Sequence, residues 1–402
     1  NYEYCDRLIG KQIGTDTIKN IVTSLEMEID KEDTEGLDLL VPAYRVDVKR
    51  PCDVVEEILR IYGYNNVEIP TTLKSSLTIA EEADKNYHRE NVVSEQLVGA
   101  GFSEILNNSL TKASYYEQTG LNKYPWEEAV KIMNPLSADL GVMRQTLLFG
   151  GLESLAHNIN RKATNLRFFE VGNVYKFTQD KYTEDSPIKA YNQEYHMALW
   201  LTGKHIEGSW VHPNEESTFY ELKAYVENIL RRVGVQQGVL VSEASDNNIF
   251  DKAIALKTRG GKLIVEMGIL SIALLKRMEI AQKVFFAEIN WTELMKIIRK
   301  NKLQFEELSK YPAVSRDLAL LLDNAVEFAQ IEEIARQTEK KLLKKVELFD
   351  VYQGKNLPEG KKSYAVNFIL QDATKTLNDK AIDAIMQKLI KNLTTKLGAE
   401  LR

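Results

Sequence analysis

The sequence is poor in several things, and each shortage removes a class of protein. Two cysteines in 402 residues, Cys5 and Cys52, cannot build a disulfide framework, and neither stands in a CxxC pair. Both read as buried free thiols. Five histidines (His88, His157, His196, His205 and His212) show no close ligand spacing, which speaks against a zinc site. No apolar run is long enough to span a bilayer, and no charged start leads into an apolar signal segment; the expectation is a soluble, cytosolic protein with no membrane partner. There is neither a GxxxxGKS/T loop nor a GxGxxG after a strand, and no Ser, His and Asp set announces a nucleophile. The chain therefore displays no active site of its own. It begins at Asn1 and not at Met, which suggests a piece of something longer.

What is present is ample apolar material and an uneven charge. An apolar content of 44% over 402 residues supports two or three buried cores. Residues 310–402 carry 16 Lys and Arg against 13 Asp and Glu, net +3, so the overall −6 leaves −9 for residues 1–309. A basic module on an acidic body hints at a polyanionic partner. The cluster "KKLLKK" (340–345), taken on its own, reads rather as a solvated helix end.

Periodicity divides the chain into three regions. Residues 1–71 show a helical stripe at Ile18, Ile21, Val22 and Leu25, then a strand at "YRVDV" and a helix from Val54 to Tyr62. Residues 76–292 mix long helices, such as "DKNYHRENVVSEQLVGAG" closed by Gly101 and "TLLFGGLESLAHNI", with strands. Within "AIALKTRGGKLIVEMGIL" two strands meet at Gly260–Gly261, a tight-hairpin pair. The charged stretch at 299–312 marks the last boundary. Residues 308–402 read as strand ("SRDLALLL"), helix (Phe328 to about Leu343), strand ("VELFDVY"), strand ("KKSYAVNFIL") and a long helix marked by Ile382, Ile385, Met386, Leu389, Ile390, Leu393 and Leu397, the order of a ferredoxin-like split βαβ.

Strand alternation sorts the side chains of that last region. Leu318, Leu320, Leu322, Phe349, Val351, Val366, Phe368 and Leu370 are expected beneath the helices. The other face then carries Asp317, Ala319, Asp350, Tyr352, Ser363, Ala365 and Asn367. A ring to stack on, small residues for close approach, and Asp, Ser and Asn for base edges are what single-stranded bases require. Any half-exposed sheet also shows polar-out alternation, so the pattern alone leaves both readings open.

A second constellation lies in "VPAYRVDVKRPCDVVEEILRIYGYNN". Asp53 stands at a helix start with Glu56 three places on, a capping-box spacing. With Asp47 and Glu57 this makes four carboxylates in eleven residues, enough oxygen ligands for Mg²⁺. Spacing alone favours capping and a solvated acidic face.

Three stretches together resemble the β subunit of bacterial phenylalanine-tRNA ligase: "PAYRVDVKRPCDVVEEILRIYGYNNVEIP", "NPLSADLGVMRQTLLFGGLESLAHNINRKATNLRFFEVGNVY", and "YPAVSRDLALLLD" through "LFDVYQGKNLPEGKKSYAVNFILQDATKTLND" to "GAELR". The likeness covers nearly the whole chain. It implies a multidomain α+β protein: a winged, helix-turn-helix-like module over 1–71, a degenerate class II synthetase core with an antiparallel sheet over 76–292, and a ferredoxin-fold anticodon-binding domain over 308–402. It assigns Asp47, Asp53, Glu56 and Glu57 to Mg²⁺ shared with an α subunit. It brings Ala319, Asp350, Tyr352 and Ser363 to the anticodon of tRNA(Phe). The core lacks the Gly-rich, Arg-ending motif that clamps ATP in class II enzymes, and "VEMGILSIALLKRMEI" departs from the family's Gly-Glu-Leu-His-Pro pattern. The resemblance thus implies a silent core, no catalytic residue in this chain, and ATP used by an α₂β₂ holoenzyme. The alternatives are an RNA-binding scaffold that borrowed these domains and a self-sufficient ligase with an unrecognised ATP site.

Overall fold

The computed structural model describes residues 1–72, 81–117, 122–236, 238–299, 307–354 and 356–402. The fold is mixed α+β with several separate sheets, and the chain divides into two compact units, residues 1–91 and 92–402. Half of the stretch read as the last boundary, residues 300–306, lies outside the described residues. Among the described residues no helix is long and apolar enough to cross a membrane.

In the first region helices Tyr2–Ile9, Thr15–Ser24 and Pro51–Tyr62 enclose a core with the hairpin Glu28–Glu32/Leu37–Leu40. Ile18, Ile21 and Val22 are buried there as their spacing required, beside Cys5, Val55 and Ile58. Cys5 and Cys52 are both free, one buried and one half-buried. The expected strand at "YRVDV" does not form. Pro42 O accepts from Arg45 N and Arg45 O from Val48 N, so residues 42–48 run as consecutive turns, and the alternating valines bury only Val48.

The middle region is built on a seven-stranded sheet. In spatial order its strands are Leu240–Ser245, Phe250–Thr258, Leu263–Leu270, Val284–Asn290, Tyr191–Thr202, Leu166–Phe177 and Ser103–Glu104, antiparallel except for the last pair. Gly260 and Gly261 lie in the turn between two of them, but Thr258 N donates to Lys262 O at 2.9 Å, so the loop is Arg259–Gly261, one residue longer than the two-residue turn expected, with Gly261 alone at positive φ, +83°. "MALWL" is apolar at every position because both faces of the sheet are covered. Ala198 and Trp200 join a core with helix Leu148–Ile159; Met197, Leu199 and Leu201 join another with helices Phe219–Arg232 and Trp291–Ile298. Gly151 permits the first contact, since a methyl group there would overlap the Trp200 indole.

The last region is a four-stranded antiparallel sheet in the order Leu343–Tyr352, Lys361–Leu370, Val314–Asp323, Glu400–Leu401. Helices Phe328–Thr338 and Asp379–Leu397 cover one face through Ile331, Ile382, Leu389 and Leu393, against Leu320, Leu322, Val366, Phe368 and Leu370. Two expectations need correction. The first helix stops at Thr338; Glu339 then accepts from Lys341 N and Leu342 N at 3.0 Å, so "KKLLKK" leads into a strand and is no helix end. Phe349 is no core residue either: the ladder pairs Leu348 with Val366 and Asp350 with Ala365, leaving Phe349 as the extra residue of a β-bulge, 60% exposed. Leu348 takes the inward place, and Val351, although opposite Tyr364, stays 48% exposed on the edge strand.

Candidate functional site

Because the bulge absorbs one residue, Asp350 and Tyr352 still point away from the helices. The register then brings the expected residues into two rows across the open face. One row runs Asp350, Ala365, Ala319, and the next Tyr352, Ser363, Leu321. Two alanines form a low floor at the centre, with the exposed Asp350 carboxylate on one side. A third row holds Asp317 and Asn367, where Asn367 Nδ2 donates to Asp317 Oδ1 and to Ser315 Oγ. A shallow platform of this kind accepts a flat ring against the alanines, with acceptors and donors at its margin.

The face has a member that pattern reading missed. Arg402 N donates to Ala319 O at 3.0 Å, while its guanidinium reaches back over the sheet to the Tyr352 ring, 5.5 Å from the centroid. A guanidinium over a tyrosine face is attractive and stiffens both side chains. The path crosses the strand that carries Ser363, which is only 6% exposed although it belongs to the open face. Tyr352 itself stays 38% exposed. The signal available was the basic residue after the short terminal strand.

The acidic constellation is arranged differently from a cation cage. Pro51 opens the helix, so Asp53 stands inside the first turn, where Oδ2 accepts from Arg50 N at 2.8 Å and Lys49 N at 3.0 Å. Capping by Asp53 is therefore real, but it reaches back and does not precede the helix. The Arg50 guanidinium, 3.0 Å away, and those backbone N–H groups hold this carboxyl well below the usual range. Glu57 lies between Arg60 at 2.6 Å and Arg45 at 2.8 Å, which also depress it. Asp47, in the turn, is 3.6 Å from Arg45, and Glu56 is exposed. Guanidinium groups thus stand where a cation would. Among the described residues no three Asp, Glu, His or Cys converge on a metal position, so within this chain the four carboxylates do not fit Mg²⁺ unaided.

The open antiparallel sheet backed by two helices is a ferredoxin-like fold, and residues 309–402 match the ferredoxin-fold anticodon binding domain. Residues 1–64 match the tRNA synthetase B5 domain, and residues 69–291 the phenylalanyl tRNA synthetase beta chain CLM domain. The chain belongs to the phenylalanyl-tRNA synthetase β-chain family. It is similar to the phenylalanine–tRNA ligase beta subunits of Bacteroides thetaiotaomicron, at 59% identity over 402 residues, Bacteroides fragilis, at 58% over 401, and Porphyromonas gingivalis, at 51% over 402. Each likeness takes in 100% of this chain and 49% of the relative, so the chain spans about half the length of those proteins. A pyrrolysyl tRNA synthetase from Desulfitobacterium hafniense shares 15% identity at a TM-score of 0.39, over 53% of this chain and 68% of that one, too distant to bear on the fold.

Proposed function

We propose that this chain is the tRNA-binding, non-catalytic part of a cytoplasmic phenylalanine–tRNA ligase, an enzyme that attaches phenylalanine to tRNA(Phe) at the expense of ATP. The observation that carries the reading is the Ala319–Ala365 floor flanked by Asp350 and Tyr352 on an uncovered sheet face. An anticodon base lies on that floor, Tyr352 stacks, Asp350 accepts from a base edge, and Ser363 lies under the stack. Residues 76–292 act as a catalytically silent, class II-like core that packs on an α subunit in an α₂β₂ assembly, and residues 1–71 as a winged module. The absence of a Gly-rich, Arg-ending motif supports the silence of the core.

Mg²⁺ belongs in this reading only at the junction with the α subunit. Asp53 and Glu57 would have to exchange guanidinium for metal, with Asp47 and Glu56 presented outward, so the partner must complete the site. The deciding experiment is co-expression with the cognate α chain. The expected results are co-purification, phenylalanine transfer to tRNA(Phe), and weaker binding of tRNA altered in the anticodon. Phenylalanine-dependent pyrophosphate exchange by this chain alone would overturn the silent-core assignment. Binding of all RNAs alike, with no affinity for the α chain, would favour a scaffold instead.

A further inference from the structure

The open face of the last sheet extends past the alanine floor, and the anticodon reading leaves that part unassigned. Asp317 and Asn367 stand two residues along the same strands from Ala319 and Ala365, so their row lies about 6.8 Å from the floor. Glu347 completes that row on the edge strand, and the row beyond carries Ser315, Ile369 and Lys345. A step of about 6.8 Å is twice the 3.4 Å spacing of stacked bases. An RNA strand crossing both rows therefore has its bases splayed, one to a row, as single strands lie on other open four-stranded sheets.

The hydrogen bonds within the row fix what it can offer. Asn367 Nδ2 donates to Asp317 Oδ1 and to Ser315 Oγ. A carboxylate only accepts, so the amide must turn its nitrogen to Asp317, and both of its N–H bonds are then spent. Among the described residues neither Asn367 Oδ1 nor Asp317 Oδ2 meets a donor. Ser315 Oγ accepts from the amide and keeps its own hydrogen to donate. Asp317 and Ser315 are exposed and Asn367 is half-buried, so all three are open to a ligand. Glu347 does not compete, because Lys345 pairs with it. The free set is two acceptors beside one hydroxyl donor.

Bases differ in how they meet such a set. Adenine and cytosine present an amino group next to an unprotonated ring nitrogen, a donor beside an acceptor. Hypoxanthine and uracil present an oxo group next to a ring N–H, the reverse order. Their oxo group would face two acceptors, one of them a carboxylate.

We propose that Asp317 and Asn367 form a second base site, which takes the neighbour of the base on the alanine floor and selects an amino-bearing base over its oxo counterpart. The exocyclic amine donates to Asp317 Oδ2 and Asn367 Oδ1, and the adjacent ring nitrogen accepts from Ser315 Oγ. Ile369, half-buried on the same side, gives the ring its apolar contact. The inference rests on the anticodon reading of the neighbouring rows.

The test uses the 402-residue chain and the anticodon stem-loop of tRNA(Phe), with each anticodon position occupied in turn by adenine, hypoxanthine, cytosine or uracil. At one position the amino bases should bind about tenfold tighter than the oxo bases, the worth of one well-made base contact. Asp317→Asn should erase that preference, since an amide can turn its N–H to an oxo group, and Asn367→Ala should shrink it. Melting temperatures of both variants should match the parent, as for ordinary surface positions. No amino preference at any position, or a preference that survives both variants, overturns the proposal. Tyr352→Ala separates the two readings. If it weakens binding while Asp317→Asn leaves the preference intact, the anticodon reading stands and the second site falls; if Tyr352→Ala also changes nothing, both fall.

Discussion

The Arg402 guanidinium lies 5.5 Å from the centre of the Tyr352 ring, although two strands separate their backbones in the sheet. The stack presents Tyr352 in one pose. Tyr352→Ala is expected to cost about 1–3 kcal/mol of tRNA affinity, the range for a base–aromatic stack, and Tyr352→Phe much less, since the ring carries the interaction. Arg402→Ala should release the ring and weaken tRNA binding by less than Tyr352→Ala does, since the ring itself remains. Binding of cognate tRNA at two salt concentrations checks all three. Parental affinity in a folded Tyr352→Ala chain that still discriminates among anticodons would move the base-reading surface elsewhere.

The bulge makes a sharp comparison between two phenylalanines of the same sheet. Phe349→Ala should change stability by no more than about 0.5 kcal/mol, as for ordinary surface positions. Phe368→Ala, at a side chain with no exposure, should cost about 3–5 kcal/mol. Urea unfolding of the two variants settles it, and equal losses would place Phe349 back in the core.

Most of the architecture of residues 308–402 was legible because its signals are local. Leu320 and Leu322, with Val366, Phe368 and Leu370, alternate without interruption, and each lands in the core. The errors have physical causes. Alternation cannot register an extra residue, so Phe349 was assigned one face too far; "YRVDV" alternates like a strand, but the turns after Pro42 take its hydrogen bonds. The acidic cluster was read as a set of carboxylates and not as a set of arginine partners, although Arg50 and Arg60, three places from Asp53 and Glu57, were open to a spacing argument; only Arg45 meets Glu57 through the fold. Arg402 was invisible for a related reason, since its neighbour Tyr352 is fifty positions away. The buried His196 and Glu288, 3.0 Å apart, meet across a still longer separation.

For the acidic helix start, the arginine pairs predict metal indifference in the chain alone. Millimolar Mg²⁺ or EDTA should leave its melting temperature unchanged, whereas Glu57→Gln should destabilise it by about 1–3 kcal/mol by leaving Arg45 underpaired. The Glu57 carboxyl is depressed, so its contribution is present above its ordinary value of 4.5 and fades as pH falls through the lower folded value. Calorimetry with and without chelator is the check, and a melting temperature that climbs with Mg²⁺ would show a metal site complete in this chain.

The His196–Glu288 pair predicts a second pH dependence, with the opposite limb. Burial opposes the charge on His196, but the carboxylates of Glu194 and Glu288 outweigh it and raise its pKa above 6.5. Burial likewise pushes Glu288 up, and the facing imidazolium, with Lys123 and Thr146 beside it, brings it down to about 2. The histidine contribution is full below 6.5 and is lost as pH rises through the raised value; the glutamate contribution is present above 4.5 and is lost as pH falls towards 2. The pair therefore stabilises most between about 4.5 and 6.5. The alkaline limb of a melting-temperature profile should flatten in His196→Gln, and a variant that tracks the parent throughout would deny the imidazolium.

The extra residue at Phe349 also bears on how this stretch of gene tolerates change in length. Removing that one codon would join Leu348 directly to Asp350, and every later side chain of the strand would keep its orientation: Val351 inward, Asp350 and Tyr352 towards the open face. Losing the Asp350 codon instead would set Phe349 in its place and bring a hydrophobic ring to the floor's edge in exchange for a carboxylate. An in-frame deletion that is harmless at one position and disabling at the next is the mutational signature of a bulge, and it separates this strand from its neighbour Lys361–Leu370, where any missing codon turns a core residue to the outside.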